Sequence, residues 1–470
     1  MKQIFGFFFL LFFNFNFGQA LTESYNKVFY SEKDSISMEY SLFQNKKFNL
    51  VLIPNDTISP GTNGAPDIIM KAYIGKDTLQ ISHNNFPFAK KTYVTIETKK
   101  GKSVVAFRFN RTNGYFQQDY IDAHRGKIEF SNPEIYELAN IIWTLSPTGE
   151  KASDLFKKSE YYEKVKKYFK PYLNHPLFEK LNFPDSIYSE KHYDFRENSF
   201  AFKFDNSNNI IKNENYFYVM GSDYDDFNSL FKELIPLIED FVEKSKFRKF
   251  YKKNSQYYNQ QTSRLDELLP VEKMWSWLEF EFPSIKIQSY KIIFSPLIGG
   301  SHSTQKYNTF DRLRQESFFE TVMFICGSDK YVSNKKLSEN EKMGLMSGIV
   351  FTEIDHNYVN PTSSKFQKEI NTIFDKKNGW VSESEDWYTN SIAVFNEYMT
   401  HAVFCLWMLE NFDIESANYV INAREELNVS KRGFVKFKEF NQELISLRKN
   451  NPSLKVTELY PLILNWCKNQ

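Results

Sequence analysis

The chain has 470 residues, 41% of them hydrophobic, which is enough for two or three domains with buried cores. Lysine plus arginine (59) nearly cancels aspartate plus glutamate (58), and a formal charge of +1 leaves no electrostatic case for nucleic acid or an anionic membrane surface as partner. Cys326, Cys405 and Cys467 are few, odd in number and far apart, so they build neither a disulfide framework nor a cysteine zinc finger and are expected as buried apolar residues.

At the N-terminus Met1-Lys2 supplies a positive charge, Ile4 to Phe13 an apolar run, and Gly18-Gln19-Ala20 a small-x-small cleavage site. That is the pattern of a secretory signal peptide over residues 1–20, cut after Ala20. Leu21 follows the cut where a lipoprotein would need Cys, and the apolar run is too short to span a bilayer. The expected product is secreted or periplasmic, with no integral membrane segment after cleavage.

From about Ser24 to Arg125, "KFNLVLI", "DIIMKAYI", "KTYVTIE" and "SVVAFRFN" alternate like strands between Gly, Asn, Asp and Pro clusters. Residues 21–125 therefore read as a small all-β domain, with the boundary near Gly126 and a second domain over 126–470. In that second part "NPEIYELANIIWTLS" and "DLFKKSEYYEKVKKYFKPYL" take a helical period, 192–220 alternates like strands, and 223–279 is largely helical. "IKIQSYKIIFSPL" reads as a strand ending in the turn Ile298-Gly299-Gly300-Ser301-His302, and "ESFFETVMFICG" as another strand. A capping box at Ser338 and Glu341 opens a helix expected to run to about Asn357, with Pro361 forcing its end. A second such box at Ser382 to Glu385 opens a long helix through "DWYTNSIAVFNEYMTHAVFCLWMLENF". The fold class is α+β: a mainly helical domain with a small sheet, preceded by the all-β domain.

The helix after Ser338 carries "FTEIDHNYVNP", in which Thr352-Glu353-Ile354-Asp355-His356 differs from the zinc-protease motif His-Glu-x-x-His only at its first position. Residues four apart share a helix face, but a threonine hydroxyl is a poor zinc ligand, so this helix gives one nitrogen donor. Glu397 and His401 stand four apart on the next long helix. With His356 they make a His-His-carboxylate set that leaves a fourth position for water, and Glu353 stands where a general base would take the water's proton. The plainer reading keeps a chance Glu-x-x-x-His pair and a core histidine at His401. Asp355 is expected as a solvated charge near the helix end. His302 is a candidate for hydrogen bonding to substrate, and Tyr358 and Tyr398 for donation to an oxyanion. His83, His124, His175 and His192 lack partners at ligand spacing and read as structural or surface residues.

"GIVFTEIDHNYVNP" followed by "FNEYMTHAV" resembles the gluzincin type of zinc metallopeptidase. More narrowly it is similar to an uncharacterised family of secreted bacterial proteins with a His-Glu-x-x-His helix, an Asn-Pro after it and a distal Glu. "PEIYELANIIWTLS", "YFKPYLNHPLFEKL" and "SPLIGGSHSTQKY" fit the same family, so the resemblance covers the chain from about Gly126 onward. It implies a zincin-like fold, zinc as cofactor, and a peptide or protein substrate. By position it implies Glu353 as general base, His356 as the second histidine ligand and Glu397 as the distal glutamate ligand. Thr352 departs from the family pattern, and His401 as the replacement ligand comes from spacing alone. Two functions stay open: an exported metallopeptidase that cuts peptide bonds by metal-activated water at a modified zinc site, or a catalytically inactive zincin-fold binding or scaffold protein.

Overall fold

The computed structural model describes the strands β1 (Phe48–Pro54), β2 (Ile68–Ile74), β3 (Asp77–Ser82), β4 (Lys91–Thr98) and β5 (Gly101–Arg108). It further describes the chain from Phe116 on, except 214, 217–228, 312–313, 315, 333, 376–377 and 383–389. The signal segment and the linkers between the early strands lie outside the described residues. β1, β2 and β3 form an antiparallel three-stranded sheet, and β4 pairs with β5.

The part from Phe116 on is mostly helical around a small mixed sheet, which agrees with the α+β expectation. Its longer helices are α1 (Gln118–His124), α2 (Glu134–Leu145), α3 (Glu160–Phe169), α4 (Tyr188–Asn198), α5 (Ile235–Ser245), α6 (Ser255–Leu268) and α7 (Val271–Glu281). After the sheet strands come α8 (Glu339–Ser363), α9 (Ser391–Asn411), α10 (Ile414–Arg432), α11 (Phe437–Asn450) and α12 (Val456–Cys467). The sheet has β6 (Lys127–Ser131) and β9 (Ser289–Ser295) parallel, β9 and β11 (Glu316–Cys326) parallel, and β10 (Ser303–Asp311) antiparallel to β11 on one edge. A separate small pair joins β7 (Phe202–Phe204) and β8 (Ile210–Lys212).

β9 and β11 read as strands because their apolar runs are covered on both faces, the pattern of inner parallel strands. β10, "STQKYNTFD", is mostly polar, and its place at the sheet edge explains why it gives no such run. Two apolar clusters carry the packing. One joins the sheet to α8 and the C-terminal helices, and the other joins α2 to α5. Cys326, Cys405 and Cys467 are free and buried, as their spacing implied. Among the described residues only α9 is long and apolar enough to cross a membrane, and most of it is covered by the rest of the fold.

Three local expectations need correction. The alternation over 192–198 is not a strand. His192, Phe195 and Arg196 of α4 and Ser199 at its C-cap follow the helical spacing i, i+3, i+4, i+7, and all four are buried. Helix α8 keeps its predicted start, where Glu341 N binds Ser338 Oγ at 3.2 Å and Ser338 N binds Glu341 Oε2 at 2.6 Å. It passes Asn357 and ends only at Ser363, with Pro361 inside. A proline so close to the C-terminus removes a single donor, while Ser364 N still reaches Asn360 O, so the last turn closes. The second capping box falls partly in 383–389, outside the described residues; α9 instead starts after Asn390, whose side chain accepts from Ile392 N at 3.0 Å.

α2 is tied to the sheet through a buried carboxyl. Glu137 accepts from Tyr161 Oη at 2.7 Å and from Asn132 Nδ2 at 2.8 Å, and Asn132 also donates to Phe294 O on β9 at 2.7 Å. Burial pushes the Glu137 carboxyl up to about 7. A folded acid that binds its proton more tightly than the unfolded one loses stability as pH rises through the window between the two values, here about 4.5 to 7. Urea unfolding at pH 5 and pH 8 should show a decline on the order of 3 kcal/mol from this group. Glu137→Gln should flatten that decline, and an equal slope in both proteins would refute the assignment.

Candidate functional site

α8, α9 and α10 approach closely because α8 carries two glycines one turn apart. A Cβ on Gly344 would stand 2.7 Å from Val420 Cγ2 and 2.8 Å from Met408 Cε. On Gly348 it would stand 2.0 Å from Arg424 Nη2 and 3.0 Å from the Phe404 ring. Phe351 of α8, the residue before Thr352, packs on Phe404 and Trp407 of α9 and sets the crossing. The same crossing brings His356 to Glu397.

The structure brings His356, Glu397 and His401 together. His356 Nε2 lies 3.5 Å from Glu397 Oε1, and His401 Nε2 lies 3.6 Å from Glu397 Oε2. His356 and Glu397 are reached by solvent, with side chains 22% and 19% exposed, whereas His401 is only 1% exposed. On its other side His356 Nδ1 meets Asn360 Oδ1 at 3.2 Å and Thr400 Oγ1 at 3.4 Å. Glu353 is half-buried, and burial pushes its carboxyl up to about 7 against the favourable charge of the His356 imidazole. Burial holds the His401 imidazole well below its ordinary value, with Arg432 and Arg424 acting in the same direction, so its ring is neutral.

Two arginines of α10, which the sequence reading missed, complete the centre. Arg432 Nη1 donates to Glu397 Oε2 at 2.6 Å. Arg424 Nη1 lies 3.5 Å from His401 Nδ1, and its guanidinium stacks 5.0 Å from the centre of the Phe404 ring. Their spacing of eight residues puts both on one helix face, a signal hidden because "NAREELNVSKR" reads as an ordinary solvated charge run.

Thr352 is buried and turned back along its own helix, donating to Gly348 O at 2.9 Å. Asp355, expected in solvent, is fully buried because α8 continues past it; burial drives its carboxyl well above the usual range. Tyr358 does not reach the centre: its buried hydroxyl pairs with Tyr290 of β9 at 3.0 Å. Tyr398 is equally remote, donating to Trp380 O at 2.6 Å. The remaining described histidines take structural places. His175 caps a short helix and meets Asp240 at 2.8 Å, His192 is buried in α4, and His124 stacks on Tyr120.

The glycine turn before β10 is clamped by Asp154, whose backbone carbonyl accepts from Gly299 N and Gly300 N, both at 2.7 Å. Ser301 adopts φ 55 and donates to Asp154 Oδ2 at 2.7 Å, while Arg196 Nη2 donates to Ser301 O at 2.9 Å. His302 follows, with Nε2 buried and without a hydrogen-bond partner. Burial and the charges of Lys330, Arg196, Arg424 and Arg432 hold its imidazole well below the ordinary range. Two hollows of about 660 and 720 Å³ lie elsewhere, beside Lys127 and Trp275 and beside Asn208 and Glu243.

A zinc ion bound at about 2.0–2.2 Å would set neighbouring ligand atoms about 3.4 Å apart, and both imidazole-carboxylate separations come near that. The donor chemistry does not follow. A ligand histidine gives its second N–H to an acceptor, whereas His401 turns Nδ1 to a guanidinium donor and so keeps its proton on Nε2. Glu397 is already paired with Arg432, and the Thr352 hydroxyl is turned back to donate to Gly348 O of its own helix. Among the described residues no group of three or more His, Cys, Asp or Glu side chains is set to hold an ion. The residues as placed do not fit a resident zinc ion.

No protein-family model, no curated protein and no solved structure matches this chain.

A pair this short and only partly solvated should couple measurably. In a double-mutant cycle of Glu397→Gln and Arg432→Gln the interaction energy should be about 1–2 kcal/mol, against under about 0.5 kcal/mol for a solvated pair. Gly348→Ala should lower unfolding stability by about 1–3 kcal/mol, since the new methyl displaces the Arg424 guanidinium. A neutral effect would show that the guanidinium does not lie on that glycine.

Proposed function

We propose that this chain is an exported zincin-like protein whose centre binds a peptide or protein segment without metal-dependent cleavage. The single observation that carries this reading is the placement of the two α10 guanidiniums: one holds Glu397 at 2.6 Å, the other meets the His401 nitrogen that a ligand histidine would turn to an acceptor. A divalent cation added beside two fixed guanidiniums would meet strong repulsion at this range. Peptide as the bound class follows from the family resemblance and from the place of β10 at the edge of its sheet.

One observation favours the hydrolytic alternative. Glu353 sits beside His356 with its carboxyl raised to about 7, the range suited to a base that takes a proton from water. In that alternative His356, Glu397 and His401 would hold the ion that activates water, Glu353 would take the proton, and the arginines would stabilise the charge that develops on the attacked carbonyl.

Elemental analysis of protein purified without chelator separates the two. The binding reading expects far less than one zinc per chain, and a melting temperature unchanged by EDTA or by added zinc. Near-stoichiometric zinc, released with a fall in melting temperature, would overturn it. Peptide cleavage abolished by Glu353→Gln with zinc content unchanged would then establish the alternative.

A further inference from the structure

We propose that the lysine ridge formed where α3 meets the short helix Phe247–Lys253 docks the protein on the surface of an anionic phospholipid bilayer. The inference goes beyond the reading of the centre and does not depend on it.

The ridge joins two runs far apart in the chain. Residues 164–170, "KVKKYFK", hold four lysines and no acid, and residues 246–253, "KFRKFYKK", hold five basic side chains and no acid. α3 lies antiparallel on the second run. Tyr168 Oη donates to Ser245 O at 3.1 Å near one end, and Lys164 Nζ donates to Asn254 Oδ1 at 3.0 Å near the other. Val165 and Phe169 of α3 go inward, as do Phe247 and Phe250, and the Phe169 and Phe250 rings lie 5.0 Å apart. The helical period that buries one face of each helix gathers the charges on the other, so Lys164, Lys167, Lys249, Lys252 and Lys253 are exposed.

These charges are not compensated where they stand. Arg248 pairs with Glu134, but among the described residues Lys167, Lys249, Lys252 and Lys253 have no ion pair. Glu160 and Glu163 at the start of α3, and Glu243 ahead of the second run, are the acids nearest in sequence, and none of them pairs with these lysines. The whole chain carries only +1, so an acidic excess elsewhere balances the ridge and conceals it in the total. Like charges gathered on one face raise a positive local potential, which an anionic surface lowers.

A second observation selects lipid among anions. α3 runs into the turn Lys170–Tyr172, and at its end Leu173 is 40% exposed beside a half-buried Tyr172. An aliphatic tip and a phenol at the end of a basic ridge match the boundary of a bilayer, where apolar side chains enter between the headgroups while lysines stay with the phosphates. A nucleic acid backbone or an anionic polysaccharide offers that leucine no apolar layer.

Co-sedimentation of the full mature chain with vesicles tests this. Binding to vesicles of phosphatidylcholine with phosphatidylglycerol should be about tenfold or more tighter than to phosphatidylcholine alone, and should fall steeply as salt rises. Lys249→Glu with Lys253→Glu should lower that binding about tenfold or more. Lys438→Glu with Lys449→Glu makes the same change in net charge on exposed positions of α11, in the other apolar cluster, and should lower it far less. Leu173→Ser should weaken binding and leave its salt dependence unchanged, since it removes apolar contact and no charge. Equal binding to both vesicle types, or equal losses in the two charge-reversed variants, would overturn the proposal. Binding of heparin or duplex DNA by a protein that leaves phosphatidylglycerol vesicles alone would overturn it too, and would assign the ridge to another anion. All the substituted side chains are exposed, so the variants are expected to fold, and their circular dichroism spectra check this.

Discussion

A guanidinium held 2.6 Å from a carboxylate oxygen, Arg432 against Glu397, fastens the last turn of α10 to the first half of α9 and neutralises the one carboxylate that both histidines face. Everything else at the centre is arranged around that pair. Without it, Glu397 would stand between two imidazoles with no cation, and the histidines would have to take up protons to balance it. His401 cannot readily do so, because its burial opposes a charge. The arginine therefore lets a fully buried neutral histidine and a half-buried carboxylate occupy adjacent turns of one helix.

The pair is possible only because α10 can lie so close to α8, and here a backbone feature governs the electrostatics. Gly348 leaves open the volume that the Arg424 guanidinium fills, and Gly344 does the same for Val420 one turn earlier. Helices meeting through glycine approach more closely than those meeting through larger side chains, so α10 delivers its arginines to the motif helix at short range. The two guanidiniums then shape the titration of every nearby group in one sense. They depress His302 and His401, and Arg432 partly offsets the burial of Glu353.

What the sequence made legible was the local pattern. The capping box at Ser338, the helical faces of α8 and α9 and the strands β9 and β11 follow from spacing, because period and cap chemistry are properties of neighbouring residues, whereas the meeting of His356 with Glu397 depends on how α8 packs on α9. What was not legible depended on partners far along the chain. β10 lacks an apolar run because it lies at an edge; α4 was read as strand because two periods fit the same residues and only packing chose between them. Asp355 was misplaced because α8 runs six residues past Asn357 to Ser363, so a position expected near a solvated helix end lies within the core, and Tyr358, expected to donate at the centre, pairs with Tyr290 instead. The arginines were invisible as site residues because a charge on an exposed-looking helix carries no sign of the carboxylate it will meet.

The threonine at 352 and the arginines of α10 form one arrangement. With a histidine at 352 and an ion at the centre, the positive charge would sit between α8 and α9, and a guanidinium lying over Gly348 on the same face would be driven away by it. With threonine there, the hydroxyl satisfies itself on Gly348 O and asks nothing of the space in front of it, so the guanidinium is free to occupy that space and supply the cation. Restoring a single histidine would therefore leave the repulsion of Arg424 and Arg432 in place and the His401 nitrogen still facing a donor. Positive charge is needed at this centre because Glu397 and the two imidazoles converge there, and it comes from the guanidiniums of α10.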